Sequence, residues 1–161
     1  MASARLFIEN GIEKAKVDTI QEAYGNFYMQ PNGIFLMDTS GKPYVINTKA
    51  FENYRGITKY ATQSGPALVL NDVYNSHFNQ WSSSRKMRNG VGVTRDGNLV
   101  FVISRGNVNL YDFATFFNQI LDCPNALYLD GVVSKLYCPE LERERREDIG
   151  GGFGPIIGIV D

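Results

Sequence analysis

The sequence predicts an α+β fold: a mixed, mostly antiparallel, strongly twisted sheet with one main helix packed on it. Short apolar runs alternate with turn signals such as Asn10-Gly11, Asn32-Gly33 and Ser40-Gly41, the punctuation of hairpins. Ten phenylalanines, nine tyrosines and sixteen glycines suit strands joined by tight turns, because aromatics fit a pleated surface and glycine supplies positive φ. One long stretch, Asn109–Leu121, repeats apolar residues at helical spacing. A chain of 161 residues, 43% hydrophobic and 20% charged, is long enough to bury a core, and residues 1–161 are read as a single domain.

In chain order, Ala4–Glu9 and Lys14–Ile20 read as strands about Asn10-Gly11, followed by Gly25–Met29, Ile34–Met37 and Pro43–Ile46 in an antiparallel meander. Thr48 is placed to cap a short helix through Tyr54, stopped by Gly56. Ser64-Gly65-Pro66 breaks the chain before an apolar strand, Ala67–Leu70, where a proline at the strand start costs no interior hydrogen bond. Asn71–Asn89 is polar and aperiodic, a long connection of the functional or mobile kind. Val91–Thr94 and Leu99–Ser104 form a hairpin about Arg95-Asp96-Gly97-Asn98. Asn109 caps the long helix, whose Leu110, Phe113, Phe117, Ile120 and Leu121 face one side until Pro124 ends it. Ala126–Leu129 is an apolar strand; Glu140–Asp148 is a solvated charge run, Gly150-Gly151-Gly152 a joint, and Phe153–Val160 a last buried strand.

Composition excludes several functions. A net charge of −1 gives no field to gather nucleic acid or an anionic membrane. No apolar run is long enough to span a bilayer, and Met1–Ile8 lacks the basic start and apolar run of a signal peptide. Cys123 and Cys138 make neither a disulfide framework nor a zinc pattern and are read as free thiols, with a single bridge as the alternative. With His77 as the single histidine, no His-rich metal site exists, and a Ser-His-Asp triad would lack its G-x-S-x-G elbow. The glycines at 150–154 lead into Pro155 without a phosphate-binding helix, so neither metal nor cofactor is expected.

What remains is a set of polar residues at strand ends: Ser64 with Gly65, Arg88 with Asn89, and Asp130 with Gly131 and Ser134. A carboxylate at the mouth of a buried strand beside a glycine is one way to build a site on a rigid element, although Asp-Gly is equally a turn dipeptide. Arg88 opens a strand after the long connection, where a fixed guanidinium would hold a phosphate or carboxylate in bidentate fashion; a surface arginine is the plain alternative. Arg85, Lys86 and Arg88 together favour an anionic ligand.

The ordered segments GNFYMQPNGIF (25–35), TQSGPALVL (62–70), RNGVGV (88–93), NLYDFATFF (109–117), NALYLDGVVSKLY (125–137) and FGPIIGIV (153–160) resemble the phosphodiester glycosidase family, in its bacterial and phage branch. The resemblance runs from about Ala4 to the end of the chain. It implies that Ser64, Gly65, Arg88, Asn89, Asp130, Gly131 and Ser134 line a pocket for a carbohydrate or sugar phosphate, in a family whose members are mostly exported. Two departures from the family pattern stand out. An upstream Asn-x-Gly-x-Phe-type motif is expected to precede the first residue, and Val132 replaces the second glycine of Asp-Gly-Gly-x-Ser. The implied chemistry is hydrolysis of a sugar-1-phosphodiester or related glycosidic bond. Arg88 would neutralise the phosphate leaving group, Asp130 would serve as acid, base or stabiliser of an oxocarbenium-like centre, and Ser64, Asn89 and Ser134 would orient oxygens. Asp72, Asp96 and Asp112 are equivalent candidates for a second carboxylate. The alternative is a non-catalytic carbohydrate- or phosphate-binding module of a larger envelope or virion assembly.

Overall fold

At Ser64-Gly65-Pro66 the chain passes from one antiparallel sheet into another. The computed structural model describes residues 5–20, 25–130 and 157–158. The first sheet has five strands in the order β2-β1-β5-β3-β4, built from β1 (Phe7–Glu9), β2 (Ile12–Ala15), β3 (Gly33–Asp38), β4 (Pro43–Asn47) and β5 (Thr58–Ser64). The second also has five, β7-β6-β10-β8-β9, built from β6 (Ala67–Leu70), β7 (Val73–Tyr74), β8 (Asn89–Val93), β9 (Leu99–Ile103) and β10 (Asn125–Asp130). Every described strand pair is antiparallel. The α+β class therefore holds, with the strands shared between two sheets.

Side-chain alternation explains the layering. Along β3, Ile34 and Leu36 point outward to a cluster with Leu6, Ile8 and Ala61, covered by Phe51 and Tyr54. Phe35, between them, points inward and meets Val45, Ala67, Val91 and Leu127, the core between the sheets. Along β10, Leu127 faces that core while Ala126 and Tyr128 face the helix side. Strands covered on both faces read as nearly unbroken apolar runs, which is why Ala67–Leu70 and Ala126–Leu129 show no polar alternation.

The long helix lies on the second sheet as α2 (Leu110–Thr115), continued by a π-helical turn, Phe116–Ile120. Its start is set by Asn109, whose side-chain oxygen accepts from the Asp112 amide at 2.7 Å. Phe113 and Phe117 are buried, edge to face with centroids 5.2 Å apart. They fit because β8 presents Gly90 and Gly92 beneath them: a Cβ on Gly92 would lie 2.7 Å from Phe117 Cδ1.

Several local expectations are corrected. Gly25–Met29 is no strand; Asn26–Tyr28 form a 3₁₀ turn closed by Tyr28 N–H to Gly25 O (3.1 Å), with Phe27 buried and Gly25 at φ 110°. The second strand ends at Ala15, after which Asp18 is drawn to Gln63, whose side chain accepts from the Asp18 amide and donates to its carbonyl, at 2.8 Å each. The cap of the short helix α1 (Thr48–Phe51) is Asn47, one residue earlier than expected. β5, the central strand of the first sheet, goes unrecognised in the sequence because most of its side chains are polar. The polar connection contains β7 and an isolated bridge between Lys86 and Val108. Of Phe153–Val160, Ile157 and Gly158 are described; neither is in a strand, and Ile157 is 44% exposed. Cys123 is a buried free thiol. Cys138, Glu140–Asp148 and Gly150-Gly151-Gly152 lie outside the described residues. Among those residues, no helix is long and apolar enough to cross a membrane.

Candidate functional site

Three strand ends meet at one edge of the molecule. β10 runs outward to Asp130, whose backbone stands opposite Asn89 at the start of antiparallel β8. β5 ends at Ser64, whose hydroxyl donates to Leu129 O at 2.6 Å and so joins the first sheet to the second. Ser64, Gly65, Asn89 and the backbone of Asp130 thus gather at the same end of the sandwich, with Arg88 one residue before Asn89. Gly131 and Ser134 lie outside the described residues. Gly65 has a packing reason to be glycine, because a Cβ there would meet Asn32 Cβ at 2.7 Å and Phe27 O at 2.8 Å.

Arg88 is the most constrained residue of the group. It is 1% exposed, a rare condition for a permanently charged side chain. Its Nε donates to Val108 O at 3.0 Å and its Nη2 to Ser84 O at 2.9 Å. Its own amide donates to Ser104 Oγ at 2.9 Å. The guanidinium carbon lies 5.4 Å from the Tyr128 ring centroid. Nη1 is buried and has no hydrogen-bond partner among the described residues. The carbonyls fix the fork in place, and among the described residues no carboxylate neutralises it, which leaves the Nη1 amino group for an anion or another acceptor.

This arginine lines one cavity, and Tyr128 beside it lines a second. The smaller, of about 110 Å³, lies between α2 and the connection after β7, and is lined by Arg88, His77, Asn79, Ser82, Ser84 and Tyr111 among others. The larger, of about 200 Å³, is lined by Arg5, Gly25, Asn26, Phe27, Gly65, Tyr128 and Leu129. Asn26 lines both. The polar connection is pinned near its start and at its middle: Asn75 is buried and donates to Ala67 O at 3.1 Å, and Asn109 donates to Gln80 O at 3.1 Å. It therefore forms a fixed cavity wall.

Sequence reasoning did not anticipate Arg5, Asn26, Phe27, Tyr128 or His77 as lining residues. Phe27 and Tyr128 read there as strand aromatics, and Arg5 reaches the cavity only through the pairing of β1 with β5. Among the described residues, no three His, Cys, Asp or Glu side chains cluster as metal ligands would. Of the three equivalent carboxylates, Asp72 and Asp112 are engaged elsewhere. Asp72 pairs with Arg95 at 2.7 Å, and Asp112 lies 3.3 Å from Arg85.

The fold and sequence both have counterparts among known proteins. The chain is 38% identical over 132 residues to the uncharacterized protein YigE of Escherichia coli K12, covering 82% of the chain and 51% of that protein. It thus spans about half the length of the curated relative it matches. The catalytic domain of zebrafish N-acetylglucosamine-1-phosphodiester alpha-N-acetylglucosaminidase, auto-inhibited by its pro-peptide, superposes with a TM-score of 0.55 at 16% identity, over 81% of this chain and 46% of that one. At that identity the likeness is one of fold. The model of the phosphodiester glycosidase family matches residues 2–148, nearly the whole sequence, and the chain belongs to that family.

Proposed function

We propose that this protein hydrolyses the glycosidic bond of a sugar-1-phosphodiester, with Arg88 holding the phosphate. The observation that carries this reading is the buried Arg88 guanidinium, in a residue that lines the smaller cavity, fixed by two backbone carbonyls and with its Nη1 unpaired among the described residues. Burying a guanidinium without a counter-charge is expensive, and an anionic ligand relieves that cost at the moment of binding. In the reaction, water adds to the anomeric carbon and the bond from that carbon to the phosphate oxygen breaks. The electron pair leaves on the phosphate, giving free sugar and a phosphomonoester. Arg88 stabilises the charge that develops on the departing oxygen, a contribution that grows toward the transition state. Asp130 carries the acid–base role or stabilises the oxocarbenium-like centre. The Ser64 hydroxyl has already committed its proton to Leu129 O, so toward a ligand it acts as an acceptor for a sugar hydroxyl. Asn89 and Ser134 orient the remaining oxygens.

Release of free sugar from a sugar-1-phosphodiester tests the reading in the parent, Arg88→Lys and Asp130→Asn. Lysine keeps the charge but loses the planar fork, and turnover should fall by about a hundredfold or more. Asp130→Asn should abolish turnover while sugar-phosphate affinity survives. Binding without release in the parent would replace the enzyme reading with a binding module. Release unaffected by Asp130→Asn would move the catalytic role to another carboxylate.

A further inference from the structure

The larger cavity carries a guanidinium of its own. Arg5 lines it, with its guanidinium carbon 4.0 Å from the centroid of the Phe27 ring. An aromatic ring at that distance attracts the guanidinium by cation–π interaction without using its N–H donors. Arg55, Arg85, Arg88 and Arg95 each direct at least one nitrogen to an oxygen of the protein. Arg5 has no such oxygen among the described residues, a condition it shares with the exposed Arg105, but Arg5 lines a cavity. Its stacking partner Phe27 is itself buried, so the platform is fixed.

Tyr128 links the two arginines: it lines the larger cavity with Arg5, and its ring centroid lies 5.4 Å from the Arg88 guanidinium carbon. Asn26 lines both cavities. A ligand extending from the larger cavity toward the smaller would meet both guanidiniums, each with a nitrogen that has no protein oxygen as partner among the described residues. We propose that the sugar taken by the larger cavity carries a carboxylate, so that the substrate is a phosphodiester of an acidic sugar such as a uronic acid. Arg5 receives the carboxylate and Arg88 the phosphate. This inference rests on the proposed phosphodiester chemistry and adds the class of sugar. The cavity, at about 200 Å³, is of the size of a single pyranose. A carboxylate matches the guanidinium edge with two parallel charge-assisted bonds, whereas a neutral sugar offers hydroxyls that match it less well. Arg5 is exposed to solvent, which screens the pair and keeps the expected discrimination moderate.

The test compares binding of galacturonic acid 1-phosphate and galactose 1-phosphate by titration calorimetry, in the parent chain and in Arg5→Gln. The parent should bind the uronic acid about tenfold more tightly, and Arg5→Gln should bring the ratio close to one. The methyl ester of the uronic acid, measured on the parent, should lose the same advantage, which tests the inference without any variant. Equal affinities in the parent, or a preference that survives Arg5→Gln or esterification, would overturn it. Release of neutral and acidic sugars from their phosphodiesters at equal rates would also overturn it and leave the hydrolase reading intact. Failure to bind either sugar phosphate would overturn both.

Discussion

Replacing Phe117 with alanine probes how the helix is held on the second sheet. The ring is fully buried, packs edge to face on Phe113 with centroids 5.2 Å apart, and rests above Gly90 and Gly92. Core Phe→Ala changes cost about 3–5 kcal/mol, of which the ring pair accounts for about 0.5–1.5 kcal/mol. Here the floor of the resulting cavity is glycine backbone, which has no side chain to swing into the void. The cost should therefore fall in the upper part of that range, about 4 kcal/mol, a large share of a typical domain's stability. Gly92→Ala alone should destabilise by about 1–3 kcal/mol, because the new Cβ would crowd Phe117 Cδ1 at 2.7 Å and Cys123 Sγ at 2.9 Å. In the double variant the ring is gone, so the two costs should fall short of their sum by about 1 kcal/mol. Urea titration of the four proteins, with a common slope, measures the cycle. A loss below about 1 kcal/mol for Phe117→Ala, or strict additivity, would refute this packing account.

Asn109→Ala removes the helix cap and the donor to Gln80 O together, and should cost about 2 kcal/mol in the same titration, at the top of the range for a cap. Burial, with a smaller effect from the nearby Asp122 charge, pushes the Cys123 thiol up to about 11, so it should resist alkylation at neutral pH until the protein unfolds. A Cys138→Ser background makes it the single reporting thiol, and fast labelling of the native protein would contradict the burial. Since its folded value lies above the unfolded one of about 8.5, its contribution is complete below that value and is lost as pH rises toward about 11. Hydrogen bonds from Arg95 and then Asn118 hold the Asp72 carboxyl below its usual range, so its contribution is present above about pH 3.9 and is lost as pH falls through the lower folded value. Asp72→Asn should flatten the acid limb of the stability profile, and superimposable limbs would show that the contact contributes nothing.

The sequence disclosed elements wherever local chemistry decides them. Asn10-Gly11 and the Arg95–Asn98 turn produce the hairpins they announce, and Asn109 caps its helix as its spacing suggests. Gly25–Met29 misleads because its aromatics suit a strand, while a glycine at φ 110° and the burial of Phe27 curl it into a turn. β5 was hidden because Thr58, Tyr60 and Gln63 look like loop residues until Gln63 is seen tying Leu6 and Asp18 to the sheet. The division into two sheets follows from long-range pairing, which no local pattern encodes. The same holds for the candidate site: Ser64, Arg88 and Asp130 were legible as polar residues at strand ends, whereas Arg5 over Phe27 is a tertiary contact between segments far apart in sequence.

The Ser64 hydroxyl reaching Leu129 O places the seam between the two sheets directly beneath the candidate site. A ligand touching Gly65 on one side and Leu129 on the other would behave as a rivet across that seam. Separation of the two sheets along that seam would then have to wait for the rivet to leave. Occupancy of the site should therefore be readable in the backbone, as slower amide exchange at the ends of β5 and β10 that face each other across the seam.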